Sequence, residues 1–270
     1  MGEIGTALIL ANGVVVPRDT SHAAAGCTPA TPPPVLHMRL FVGTSGYNFP
    51  EWKGTFYPPK LPTAKWLEYY ASKLETVEIN YTFYRMPTPK IVARWDAVTP
   101  PEFRFVLKAP QRITHIARLK NVDENLRFFL ETARTLGPKL GPILFQLPPN
   151  FKKDLDRLGD VLTQFPPDLK CAWEFRHASW FDAEVYDVLR TGNAALCVAD
   201  TAEGTTPREP TADFGYVRLR DEGYSKKSME DWVEKVRDMG KAWSDAYVFF
   251  KHEGKGEGPK LAAKFRTLFA

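Results

Sequence analysis

The pattern that most constrains this chain is an alternation. Short apolar segments end on a polar or charged residue, and each leads into a segment whose apolar side chains recur at helical spacing. The strand-like segments are residues 39–44, 76–80, 103–108, 142–147, 169–175, 194–200, 215–220 and 246–251. Helical spacing is carried in turn by Trp66, Leu67, Tyr70 and Leu74; by Ile91, Val92 and Trp95; and by Val122, Leu126, Phe129, Leu130 and Ala133 within residues 121–136. It continues with Leu155, Leu158, Leu162 and Phe165, with residues 181–190, with Met229, Trp232, Val233 and Val236, and with Leu261, Phe265 and Leu268. Asn121 with Glu124, and Ser228 with Asp231, read as helix-opening pairs, and Gly137-Pro138 as a stop. Residues 201–213 are rich in Gly, Pro and Thr and carry no helical period. Eight strands alternating with seven helices predict a (β/α)8 TIM-type barrel that lacks one helix between strands six and seven. An open doubly wound sheet is the alternative. It would carry a Gly-rich phosphate loop after strand one, and Gly43-Thr44-Ser45-Gly46 is too short for one.

Function in a barrel sits at the C-terminal ends of the strands. Those positions hold Thr44 and Ser45, Glu78 and Asn80, Lys108, Gln146, Glu174 and Arg176, Asp200, Arg218 and Arg220, and Lys251 and His252. The alternate positions Val77, Ile79, Leu107, Phe145, Trp173, Phe175, Val217 and Leu219 are apolar and are expected to face the helices. A carboxylate and a guanidinium two residues apart, as at Glu174 and Arg176, are costly to bury unless paired or used. Glu174, Glu78 and Asp200 are therefore the candidate acid–base groups. Lys108, Arg176, Arg218, Asn80, Gln146, His177, Tyr84, Trp180 and Lys251 are the candidate substrate-binding set. The bland reading of the carboxylates is a structural ion pair filling the barrel.

Residues 1–37 differ in composition, being rich in Ala, Thr, Gly and Pro and ending in Thr31-Pro32-Pro33-Pro34. They read as a disordered extension, or as translation upstream of a start at Met38, with residues 38–270 forming the barrel domain. No apolar run reaches the roughly 18 residues that a bilayer span needs. The net charge of +4 is a mild basic bias that suits an anionic ligand and is weaker than a nucleic-acid domain shows. Cys27, Cys171 and Cys197 cannot build a disulfide framework or a zinc cage alone. Cys171 and Cys197 lie in apolar runs and read as reduced buried thiols, so a cytoplasmic location is expected.

Several motifs stand in register from about Leu40 onward. They are Val42-Gly-Thr-Ser-Gly-Tyr47 with Trp52 and Phe56-Tyr-Pro58; Glu75-Thr-Val-Glu-Ile-Asn80 with Thr82-Phe-Tyr-Arg85; Phe103-Arg-Phe105 with Lys108, Pro110 and Thr114-His115; Gln146-Leu-Pro-Pro149; Glu174-Phe-Arg-His177 with Ser179-Trp180; and Ala199-Asp200. On these residues the chain resembles the YecE-like family, a TIM-barrel domain of unknown function. The resemblance implies the fold and the position of a pocket, and no reaction. Two departures are late. Arg220-Asp221 stands where the family pattern has His-Gly, and Lys251-His252 where it has paired Asn. Both make the mouth more cationic.

Three functions fit. The first is an enzyme acting on a small phosphorylated or carboxylated substrate, with Arg176, Arg218 and Lys108 holding the anion and Glu174 or Glu78 moving a proton. The second is a nucleic-acid binder or nuclease, with Tyr81, Phe83, Tyr84 or Trp180 stacking bases. Against it, the helices carry no continuous Lys/Arg stripe. The third is a non-catalytic ligand-binding barrel. No cofactor is expected. A divalent metal is the less favoured alternative, because no helix carries a His-Glu-x-x-His pattern and cations crowd the same strand ends.

Overall fold

The computed structural model describes residues 38–270. The reading of residues 1–37 as an extension lies outside the described residues. Eight parallel strands close on themselves: β1 (Arg39–Ser45), β2 (Thr76–Ile79), β3 (Arg104–Lys108), β4 (Leu140–Gln146), β5 (Cys171–Glu174), β6 (Ala195–Thr201), then β8 (Phe214–Leu219) and β9 (Asp245–Phe250). β1 pairs with β2 from Gly43–Thr76 onward and with β9 from Arg39–Asp245 onward. Pairing of Ala172 with Ala195 joins β5 to β6 and shuts the barrel. The missing helix is where the sequence places it. Between β6 and β8 the chain makes only β7 (Gly204–Thr205), a two-residue antiparallel return that pairs Asp200 with Thr205.

Eight helices are described: α1 (Trp66–Ala71), the single turn α2 (Tyr81–Tyr84), α3 (Pro89–Ala97), α4 (Asp123–Arg134), α5 (Leu155–Thr163), α6 (Ala183–Thr191), α7 (Lys226–Met239) and α8 (Glu257–Phe269). None among the described residues is long and apolar enough to cross a membrane. Thr88, Asp154 and Asp182 cap α3, α5 and α6 by accepting from the backbone N–H three residues on. Two expected starts move. The α7 cap is Ser225, which accepts from the Ser228 N–H, so the helix begins before Ser228. Asn121 has φ of 51° and lies outside α4, whose N-cap is Val122 with no side-chain bond.

The two-residue strand period sorts the interior. Val77, Ile79, Leu107, Phe145, Trp173, Phe175, Val217 and Leu219 all pack in the layer between strands and helices. The inward residues form a second core: Phe41, Phe214 and Tyr247 near the N-terminal end, then Val106, Leu144, Ala172, Cys197, Tyr216 and Phe249. Phe41 and Tyr247 stack at 4.9 Å. Apolar side chains thus fill the lower barrel, and the next inward positions on β2, β3, β4, β5 and β8, namely Glu78, Lys108, Gln146, Glu174 and Arg218, form the polar top. Gly43 is an inward position where a Cβ would meet the Thr76 carbonyl oxygen at 2.0 Å, so β1 and β2 can approach only with glycine there.

Candidate functional site

The top of the barrel is organised by Arg218, which points inward from the end of β8 and is 2% exposed. Its guanidinium bridges two carboxylates from opposite walls. Nη2 donates to Glu78 Oε1 at 2.8 Å, and Nη1 donates to Glu174 Oε2. Glu78 also accepts from the Tyr216 hydroxyl at 2.6 Å. Both carboxylates are buried. Glu174 accepts further from Gln146 Nε2 at 2.7 Å, Arg176 Nε at 3.2 Å and Arg220 Nη1 at 3.4 Å. Burial alone would push the Glu174 carboxyl up, but Arg218, Arg176 and Arg220 outweigh burial and hold it well below the usual carboxylate range. Glu174 is therefore ionised at neutral pH.

Gln146 relays this arrangement to β3. Because its amide nitrogen donates to Glu174, its Oε1 is free to accept from Lys108 Nζ, at 2.7 Å. Lys108 Nζ also lies 4.0 Å from the centre of the Phe83 ring. Among the described residues it forms no ion pair with a carboxylate. Burial, and then the nearby Arg218, lower its amine to about 8. His115 packs edge-on against Phe83 and its Nδ1 meets the Thr114 hydroxyl at 2.9 Å. Burial first, and the Lys108 and Arg176 charges second, lower its ring to about 4, so it is neutral at pH 7.

Two cavities open above this layer and share Arg220. One, of about 650 Å³, is lined by Glu174, Arg176, Arg220, Pro149 and the β6–β7 turn with Thr205 and Thr206. The other, of about 680 Å³, is lined by Arg220, Lys251, His252, Glu222, Glu253 and Glu257. Lys251 meets Glu253 only at 3.9 Å, and His252 Nε2 is engaged by the Asp221 carbonyl at 2.6 Å. Arg176 and Arg220 each touch Glu174 through one edge, and no other acceptor among the described residues meets them. The buried Arg220 Nε has no partner among the described residues.

Glu78, Glu174, Lys108, Gln146, Arg176 and Arg218 are therefore one connected group, as the strand ends suggested. The structure moves others away from it. Asp200 faces outward from β6, whose inward positions are Ala195, Cys197 and Ala199. Its carboxylate accepts from Thr205 at 2.5 Å, Tyr224 at 2.7 Å and Trp232 Nε1 at 3.2 Å, tying the β6–β7 turn to α7. Trp180 is fully buried. It stacks on Phe175 at 4.6 Å and donates to the Phe151 carbonyl, so it offers no surface to a ligand. His177 engages Ser179 and caps the short turn at residues 178–180. Tyr84 is exposed beside Ile116 and Phe128 in a separate depression, and Asn80 opens on a third, with Phe49, Tyr81 and Trp95. Tyr216 is the group member that sequence reasoning passed over. The signal was there, since 216, 218 and 220 share one strand face. Among the described residues no three His, Cys, Asp or Glu side chains converge to hold a metal ion.

Comparison with known proteins fixes the family. Residues 41–270 match the family model described as "Protein of unknown function DUF72". The chain belongs to this family. It is 26% identical over 257 residues to the UPF0759 protein YunF of Bacillus subtilis, covering 81% of this chain and 90% of that one. It is 32% identical over 143 residues to the UPF0759 protein YecE of Escherichia coli K12, covering 53% of this chain and 50% of that one. Among solved structures, a DUF72 family protein from Thermotoga maritima superposes with a TM-score of 0.75 at 28% identity, over 86% of this chain and 99% of that one. One from Enterococcus faecalis, at 21% identity and a TM-score of 0.69, shares the fold over 86% of this chain and 98% of that one.

Proposed function

We propose that this DUF72 chain is an enzyme acting on a small phosphorylated or carboxylated compound, held at the C-terminal mouth of the barrel between Arg176 and Arg220. One observation carries the reading. Both guanidiniums line the same cavity, and both lean on a carboxylate that is also paired with Arg218. Around Glu174 the four cations Lys108, Arg176, Arg218 and Arg220 stand against the two carboxylates Glu78 and Glu174, whereas Lys251 shares its cavity with Glu222, Glu253 and Glu257. An anion relieves that excess, and a carboxylate or phosphate matches the free edges of two guanidinium forks. Glu174, held ionised, fits the work of orienting the clamp better than that of delivering a proton. Lys108, with its amine near 8, is the better proton-transfer group at neutral pH.

The test is a thermal-shift screen with inorganic phosphate, small carboxylates, neutral sugars and short oligonucleotides, at low and at physiological salt. An anion bound at a hundredfold excess over Kd adds about 2.7 kcal/mol of stability. Stabilisation by small anions is the expected result. Stabilisation by neutral sugars alone contradicts the reading. Stabilisation by oligonucleotides alone, with a steep salt dependence, replaces it with nucleic-acid binding.

A further inference from the structure

The anion clamp leaves one feature of the mouth unexplained, which is an amine placed among guanidiniums. Lys108 ends β3 on the inward side, is only 9% exposed, and rests on an aromatic ring instead of a carboxylate. A lysine that merely filled space would be expected to find an ion pair, because burying an unpaired ammonium is costly. Among the described residues its one polar partner is Gln146 Oε1, and the Glu174 carboxylate fixes which way that amide faces. The charged groups acting on the amine are Arg218 and Arg176, which disfavour its protonation, and Glu78 and Glu174, which favour it. An amine made less basic by burial and by neighbouring cations is the activated form of a lysine nucleophile.

We propose that Lys108 is a carbonyl-condensing amine, forming an imine with the aldehyde or ketone carbon of an anionic compound held by Arg176 and Arg220. The proposal rests on the anion-clamp reading of the mouth. The neutral amine attacks the carbonyl carbon, a C–N bond forms, and the carbonyl oxygen becomes a hydroxyl as the proton leaves nitrogen. Loss of that hydroxyl as water, taking up a second proton from solvent, gives the protonated imine with no redox change. Its C=N bond draws electrons from the adjacent carbon, which is what a proton-abstraction or carbon–carbon cleavage step requires. The reaction class is thus chemistry next to the carbonyl of a 2-oxo acid or a phosphorylated aldehyde or ketone.

Borohydride reduction tests this on the intact chain, because it converts an imine to a stable secondary amine that peptide mass mapping locates. The probes are pyruvate, glyoxylate and glycolaldehyde phosphate, with lactate as a carboxylate that has no carbonyl. An amine near 8 is about a tenth neutral at pH 7, against less than about one in a thousand for an ordinary lysine. With at least one carbonyl probe, modification is expected at Lys108 at least about tenfold above that at the exposed Lys65 and Lys227. It is expected to rise with pH through about 8. Lys108→Met removes it while the protein still unfolds cooperatively. If every carbonyl probe leaves Lys108 unmodified, or modifies it no more than Lys65 and Lys227, the imine is overturned. The clamp reading is judged separately. It survives that failure if lactate or phosphate stabilises the chain through Arg176 and Arg220, and falls if neither does.

Discussion

Replacing Arg218 with Met should be a stability mutation before it is a binding mutation. Among the described residues Arg218 is the only cation that meets Glu78, which also accepts from the Tyr216 hydroxyl. Glu174, in contrast, keeps Arg176, Arg220 and Gln146 when Arg218 is gone. The loss therefore falls mainly on Glu78, a carboxylate stranded at 0% exposure. Breaking a buried pair from one side costs about 3–5 kcal/mol. At about 2–4 °C per kcal/mol for a domain of this size, the melting midpoint should fall by roughly 6–20 °C. Adding Glu78→Gln removes the stranded charge, so the double variant should be more stable than the two single losses predict, by at least about 1 kcal/mol. Urea denaturation of the wild type, both single variants and the double variant at pH 7 measures all of this. An Arg218→Met loss below about 1 kcal/mol, or simple additivity in the cycle, would refute the account of Arg218 as the bridge.

Other outcomes follow from the same geometry. Lys108→Met should raise stability at pH 7 by on the order of 1–3 kcal/mol, less whatever the Phe83 and Gln146 contacts contribute. Because the lysine's folded value is lowered, its penalty is full below about 8 and disappears by its ordinary value of 10.5; the gain should fade across that window in denaturation at stepped pH. Glu174 has a depressed value, so its contribution is present above about 4.3 and is lost as pH falls below that; Glu174→Gln should flatten the acid limb of a stability–pH curve. In NMR, the His115 ring should titrate near 4 and move up in Lys108→Met, since Lys108 is one of the charges holding it down. Gly43→Ala meets backbone rather than a flexible side chain and should cost about 1–3 kcal/mol in denaturant unfolding.

The barrel was legible because a two-residue period and a helical period are both written locally. Within the strands the period placed side chains correctly, as at Val77 and Ile79 outside and Glu174 inside; it fails at Asn80, one residue past β2, where the backbone has already turned helical. Asp200 shows what happens when only the end of a strand is used. The inward face of β6 is set by Ala195, Cys197 and Ala199, and Asp200 belongs to the opposite one. Trp180 and Arg218 went astray for a different reason. Whether an aromatic ring lines a pocket or closes a stack with Phe175, Trp173 and Phe145 depends on neighbours from other elements. Likewise, an arginine at a strand end reads as a ligand contact until two carboxylates from β2 and β5 are seen on either side of it. The choice of Ser225 over Ser228 as the α7 cap is a contest between two suitable residues three apart, which local composition does not decide.

The claim at the centre of this account is that Arg176 and Arg220 together hold an anion above Glu174. A crystal structure of the protein as purified, and again after soaking with phosphate or a small carboxylate, tests it most directly. Planar or tetrahedral density is expected to contact the free edges of both guanidiniums within about 3 Å, and to be lost in Arg176→Met with the barrel unchanged. Water alone between the two guanidiniums, with the anion bound elsewhere on the molecule, would contradict it.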